Sequence, residues 1–109
     1  MAFAGVPLNN LTWTRGAPKI FVSSVIAERG FCAECGTPLT YRPVAHDRIS
    51  VTIGSLDDPT SVAPVRQFGV ESKLSWLEAS LALPGIKTSD WRTLDAASLA
   101  SRQHPDHET

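Results

Sequence analysis

Two cysteines, Cys32 and Cys35, sit three residues apart in Arg29-Gly30-Phe31-Cys32-Ala33-Glu34-Cys35-Gly36-Thr37-Pro38-Leu39, and the chain has no others. A pair at this spacing, with glycine directly after it, reads as a knuckle in which both thiolates face one ion. Gly36 can take the positive φ that such a turn often needs. Zinc accepts thiolates at about 2.3 Å in a tetrahedron, and binding lowers the thiol pKa from about 8.5. Three chemistries fit the pair: zinc ligation, a dithiol redox couple, or two thiols without metal. A redox couple wants its first cysteine at a helix N-terminus, and Gly36-Thr37-Pro38 followed by a strand-like run withholds that support.

Structural zinc takes four ligands, and the remaining candidates are few. His46, His104 and His107 are the only histidines. His46 lies in the polar loop Ala45-His46-Asp47-Arg48 and reads as solvated. His104 and His107 stand in a polar tail beside Pro105. Glu34 must turn away when both cysteines face inward. The sequence therefore supplies half of a zinc site.

Strands must carry the knuckle. Ile20-Phe21-Val22 is a β-branched and aromatic run, and Lys19–Ser23 reads as a strand. Leu39-Thr40-Tyr41-Arg42 leaves the knuckle in strand pattern. In Ile49-Ser50-Val51-Thr52-Ile53 three apolar residues share one face, and Ser50 and Thr52 share the other, toward solvent. Leu11-Thr12-Trp13-Thr14 alternates and ends at Arg15-Gly16, which predicts a strand with Trp13 in the core. Val65–Val70 reads as one more strand. Leu74–Leu83 mixes apolar residues in a way that fits a helical turn or a packed loop. Ser89 or Asp90 is placed to cap a short helix. Several short strands between Gly and Pro turns predict an all-β or mainly β fold, a small sandwich or barrel.

The composition sets the outer bounds. The 109 residues suit one domain, 42% hydrophobic and 19% charged, which is globular. A net charge of -1 gives no basic face for nucleic acid and no polybasic segment for anionic lipid. No apolar run approaches the ~20 residues of a membrane span. Met1–Pro7 has neither a basic n-region nor a cleavage site, so the expected compartment is the cytoplasm. The expected organisation is a β domain over 1-95 and a polar, frayed tail over 96-109.

Three longer blocks carry a family resemblance: Phe21–Ser24 with Arg29–Leu39, Ile49-x-Val51-x-Ile53-Gly54-Ser55-Leu56-Asp57-Asp58-Pro59, and Glu71-Ser72-Lys73-Leu74-Ser75-Trp76-Leu77. In order and spacing they resemble the C-terminal part of the glutathione-dependent formaldehyde-activating (GFA, CENP-V-type) family. The resemblance implies an Mss4-like β-sandwich or barrel with a CxxC zinc knuckle. It also implies a zinc-dependent carbon–sulfur lyase that makes S-hydroxymethylglutathione. Family members pair an early C-x-C with the later C-x-x-C on a structural zinc, and a C-x-C-x-x-C holds a catalytic zinc. Cys32 and Cys35 match the C-x-x-C, and nothing in the chain matches the other two groups. The expectation is a chain lacking the family's N-terminal cysteine-bearing part, with Met1 an internal methionine of a longer ancestor, and possession of the scaffold without its catalytic ligands. A non-catalytic zinc-binding or partner-binding module on the same scaffold is the alternative.

Further expectations follow. Glutathione or another small thiol is the ligand, and Arg66, Lys73 and Trp76 are its candidate contacts. Zn2+ is the expected cofactor, its site completed by water, by a second copy, or not at all. Missing strands would leave a raw sheet edge, which predicts a homodimer. Asp57 and Asp58 read as turn and cap residues ahead of Pro59 more readily than as a catalytic carboxylate pair. Trp13, Trp76 and Trp91 are candidates to line a ligand pocket, with core packing the competing reading for Trp13 and Trp76.

Overall fold

A computed structural model describes residues 1–91 and 95–100. It divides into two compact units, Met1–Gln67 and Phe68–Thr109. The first unit is a single five-stranded antiparallel sheet of β1 (Phe3–Pro7), β2 (Lys19–Ser24), β3 (Ala27–Phe31), β4 (Pro38–Pro43) and β5 (Arg48–Thr52). Its spatial order is β1-β5-β4-β3-β2. Strands β2 to β5 form a meander, and β1 lies beside β5 at the far edge. The mainly-β expectation holds. The sheet is open, with β1 and β2 as its edges, and no second sheet faces it among the described residues.

Register sorts the side chains into two faces, because residues opposite one another in a ladder point the same way. One row runs Ile20, Gly30, Thr40, Val51, Ala4; the next runs Phe21, Arg29, Tyr41, Ser50, Gly5. Among the described residues the buried hydrophobic ones are Ala27, Ile49 and Ile53, joined by the buried Thr40 and Thr52. Burial along β5 does not follow the predicted alternation: Ile49 is buried, Ser50 and Val51 are both half-buried, and Thr52, expected toward solvent, is buried. Thr52 is buried, and its hydroxyl donates to the Pro38 carbonyl at 2.9 Å and meets the Ser55 hydroxyl at 2.9 Å. A threonine can be buried on a polar face when its one hydroxyl is satisfied there.

Gly30 marks the closest packing on the sheet. A Cβ at this position would overlap the Thr40 hydroxyl and stand 3.3 Å from Pro18 Cβ. Strand β3 is also where charge is consumed. Glu28 receives the Arg42 guanidinium at 2.9 Å, and the Arg29 guanidinium lies 5.0 Å from the centre of the Tyr41 ring. At β2 the ladder slips between Val22 and Ser24, and the Ser23 hydroxyl donates to the Ala27 carbonyl at 3.2 Å. Every residue of β2 is exposed, Phe21 at 62% and Val22 at 67%.

Other expectations are corrected. Leu11–Thr14 joins no strand, and Trp13 is 43% exposed, so it is not a core residue. The segment ends in a turn with Gly16 at φ +59, and alternation without a neighbouring strand to pair with cannot build a ladder. Val65–Val70 is not a strand either: 62–67 is irregular, and Val70 opens a 3-10 turn over Val70–Ser72. The second unit contains α1 (Leu77–Ser80), α2 (Thr88–Trp91) and α3 (Ala96–Leu99). Ser89 and Asp90 lie within α2 and do not cap it. Asp58 does cap: its carboxylate accepts the Thr60 amide at 3.1 Å at the start of the 3-10 turn Pro59–Ser61. Among the described residues no helix is long and apolar enough to cross a membrane. The tail from Ser101, with His104 and His107, lies outside the described residues.

Candidate functional site: the cysteine knuckle

The loop Cys32–Thr37 joins β3 to β4 and closes on itself through backbone bonds. The Cys32 amide donates to the Thr37 carbonyl at 2.9 Å, and the Gly36 amide returns to the Cys32 carbonyl at 2.9 Å. Gly36 takes φ +76, the left-handed conformation that L side chains resist. The β3–β4 pairing slips between Gly30 and Phe31, so Phe31 faces Pro38 where the loop begins. Thr52 then ties β4 to β5 at this end, through the Pro38 carbonyl.

The two thiols differ in exposure. Cys32 is half-buried and Cys35 exposed, and neither is in a disulfide. The Cys35 sulfur lies 3.0 Å from the Thr37 hydroxyl. That hydroxyl, then the Thr37 amide, then the Cys32 thiol hold the Cys35 thiol below its ordinary pKa. Hydrogen bonds to the charged form favour the thiolate. Thr37 was not singled out from the sequence. Its signal is a hydroxyl two residues after a cysteine, across a glycine that bends the chain back.

The pair is chemically suited to a soft cation, with two sulfurs on one turn and one of them biased toward thiolate. It supplies two donors only. Among the described residues no group of three or more His, Cys, Asp or Glu could hold a metal ion. His46 is exposed in the β4–β5 turn, where its amide donates to the Pro43 carbonyl at 3.2 Å. The knuckle therefore offers two sulfur donors, which by themselves do not make a metal site among the described residues.

An open apolar hollow of about 350 Å³ adjoins the knuckle, lined by Met1, Phe3, Phe21, Phe31 and Gly36, with Arg29 as its charged member. Phe3 and Tyr41 stand 6.4 Å apart at 54°, so the aromatic cluster continues across the sheet. The other expected contacts lie in different units. Arg66 is exposed in the first. In the second, Lys73 is paired with Glu78 at 2.6 Å and Trp76 is 61% exposed at the head of α1. The side chain of Trp91 lies outside the described residues.

A small antiparallel sheet with a C-x-x-C loop between two adjacent strands defines a small all-β protein. Within that class the family model described as glutathione-dependent formaldehyde-activating enzyme matches residues 1–72. The chain belongs to this GFA family. Neither the curated proteins nor the solved structures contain a significant match to it. The matched span covers all five strands and the knuckle together.

Proposed function

We propose that the protein serves glutathione-dependent formaldehyde chemistry, as a carbon–sulfur lyase of the GFA type. The family match over residues 1–72 carries this reading. The reaction joins the glutathione sulfur to the formaldehyde carbon; the thiol proton ends on the former carbonyl oxygen, giving S-hydroxymethylglutathione. In this reading Cys32 and Cys35 hold a zinc ion that fixes the knuckle beside the hollow. Bound zinc supplies positive charge that stabilises a thiolate. Arg29, in the wall of the hollow, offers a guanidinium to a glutathione carboxylate. Arg66 in the first unit, and Lys73 and Trp76 in the second, are further candidate contacts, each taken by itself. Holding both reactants in one place raises their effective concentration.

The test mixes protein, glutathione and formaldehyde and follows hemithioacetal formation against the spontaneous rate. Acceleration that falls on Arg29→Ala supports the lyase. A zinc-loaded protein that leaves the spontaneous rate unchanged rejects it. The second reading is a zinc-binding or partner-binding module without catalysis. It is favoured by the knuckle offering only two donors, with no cluster of three ligands among the described residues. Under that reading the protein binds zinc, and glutathione causes no further change.

A further inference from the structure

We propose that the aromatic face of the sheet binds a flat aromatic carboxylate, with Arg29 holding the carboxylate and Phe3, Phe21 and Phe31 enclosing the rings. Such a ligand is distinct from glutathione and formaldehyde, and the inference does not rest on the lyase reading.

Register brings the parts together. Phe21, Arg29 and Tyr41 stand in one row across β2, β3 and β4. Phe31 lies two residues beyond Arg29, and Phe3 two residues before Gly5 of the same row, so both point to the same side. Phe3 belongs to one edge strand and Phe21 to the other, yet both line one hollow, so the sheet curls around this face. Glu28 and Arg42 point to the opposite side and are spent on each other at 2.9 Å. Arg29 is left in the wall of the hollow, exposed and in no ion pair among the described residues.

Size, lining and charge define the ligand class. The hollow of about 350 Å³ lies at the low end of the roughly 300–1,000 Å³ of small-molecule sites, which suits one or two fused rings. Phe21 is 62% exposed and Phe3 and Phe31 are half-buried, so a ligand ring has aromatic surface to take from water. Phenylalanine rings favour another ring in offset or edge contact, and an open hollow is covered better by a flat body than by a chain. The Arg29 guanidinium lies 5.0 Å from the centre of the Tyr41 ring. A guanidinium donates in its own plane, so a ring against its face leaves the donors for a carboxylate. A nucleic-acid strand would stack on such rings too, but it needs a basic groove for its phosphates, and the net charge of -1 provides none.

The experiment titrates the full, reduced chain with naphthoate by isothermal calorimetry, without glutathione or formaldehyde. Naphthalenemethanol supplies the same rings without charge, and cyclohexanecarboxylate the same charge without a flat ring. The expected result is one naphthoate per chain, with the alcohol weaker by about tenfold or more, as the loss of a charge-assisted hydrogen bond requires. Cyclohexanecarboxylate should also bind more weakly. Arg29→Gln should lower naphthoate affinity by a similar factor and leave the alcohol's unchanged, whereas Phe21→Ala should weaken both. Amide shifts on binding should centre on Phe3, Phe21, Arg29 and Phe31. Equal affinity for naphthoate and the alcohol overturns the inference, as does equal naphthoate affinity of Arg29→Gln and the parent. No binding at millimolar probe, or shifts confined to Phe68–Ser80, overturns it too. A dimer in sedimentation velocity that naphthoate neither enters nor dissociates assigns the face to a second copy and overturns it as well. If Arg29→Gln fails to fold, Arg29→Lys decides: it keeps the charge and loses the fork, so naphthoate affinity should fall. A negative outcome leaves the lyase reading standing, since neither of its substrates is present.

Discussion

The Cys35 sulfur and the Thr37 hydroxyl oxygen lie 3.0 Å apart, across the glycine that turns the chain back on itself. The contact lowers the thiol's pKa, so a larger fraction of Cys35 is thiolate at neutral pH than in a free cysteine. Thr37→Val removes the hydroxyl and keeps the amide, the second contributor, so the pKa rises part of the way back. With metal chelated, the alkylation rate of Cys35, followed site by site in a mass spectrometer, should reach half-maximum at a higher pH in the variant. An unchanged profile would show that the hydroxyl does not act on the sulfur.

Gly36→Ala tests the turn itself. A residue with a Cβ at φ +76 carries a cost of roughly 1–2 kcal/mol. The space around it is open, so the penalty is conformational and not steric crowding with neighbours. Stability measured by urea denaturation should fall by about that amount. On the proposed reading that Cys32 and Cys35 hold zinc, zinc affinity measured with a competing chelator should fall as well, because Gly36 closes the loop that carries both cysteines.

Gly30→Ala tests packing on the sheet. The added methyl would overlap the Thr40 hydroxyl and press on Pro18. Overpacking of this kind costs about 1–3 kcal/mol. Because Gly30 lies two residues before Cys32, the variant should also loosen the knuckle, visible as faster amide exchange at Cys32 and Gly36. Unaltered stability would mean that β3 and β4 can separate at no cost.

Thr52→Val removes one buried hydroxyl while preserving shape. It leaves the Pro38 carbonyl and the Ser55 hydroxyl without this partner, and should destabilise by about 1 kcal/mol. Thermal denaturation reads the effect. Ser55 keeps its own bond to the Thr52 carbonyl at 2.8 Å, which limits the loss.

Much of the sheet was legible in the sequence, and the exceptions have physical causes. Lys19–Ser23, Leu39–Arg42 and Ile49–Ile53 announce β2, β4 and β5 because β-branched and aromatic residues recur at strand spacing. Strand β3 was hidden, since Ala27-Glu28-Arg29-Gly30-Phe31 reads as charged and broken. Its charges are spent on its neighbours, Glu28 on Arg42 and Arg29 on Tyr41, and its glycine is demanded by Thr40. Such pairings depend on which strands come together, which local pattern does not encode. Trp13 misled for the opposite reason: its alternation was local and found no partner strand. At the site, the two cysteines and Gly36 were legible from spacing alone. Thr37 and Arg29 were not, because their roles follow from a bend and from a register.

Strand order sets the sequence in which this sheet can assemble. Strands β2 to β5 each find a ladder partner next along the chain, so hairpins can close over short loops at small entropic cost. Strand β1 has no such neighbour: Phe3 pairs with Thr52 and Pro7 with Arg48. On a ribosome Phe3–Pro7 emerges before its partner and keeps open amide and carbonyl groups until Arg48–Thr52 has cleared the exit tunnel.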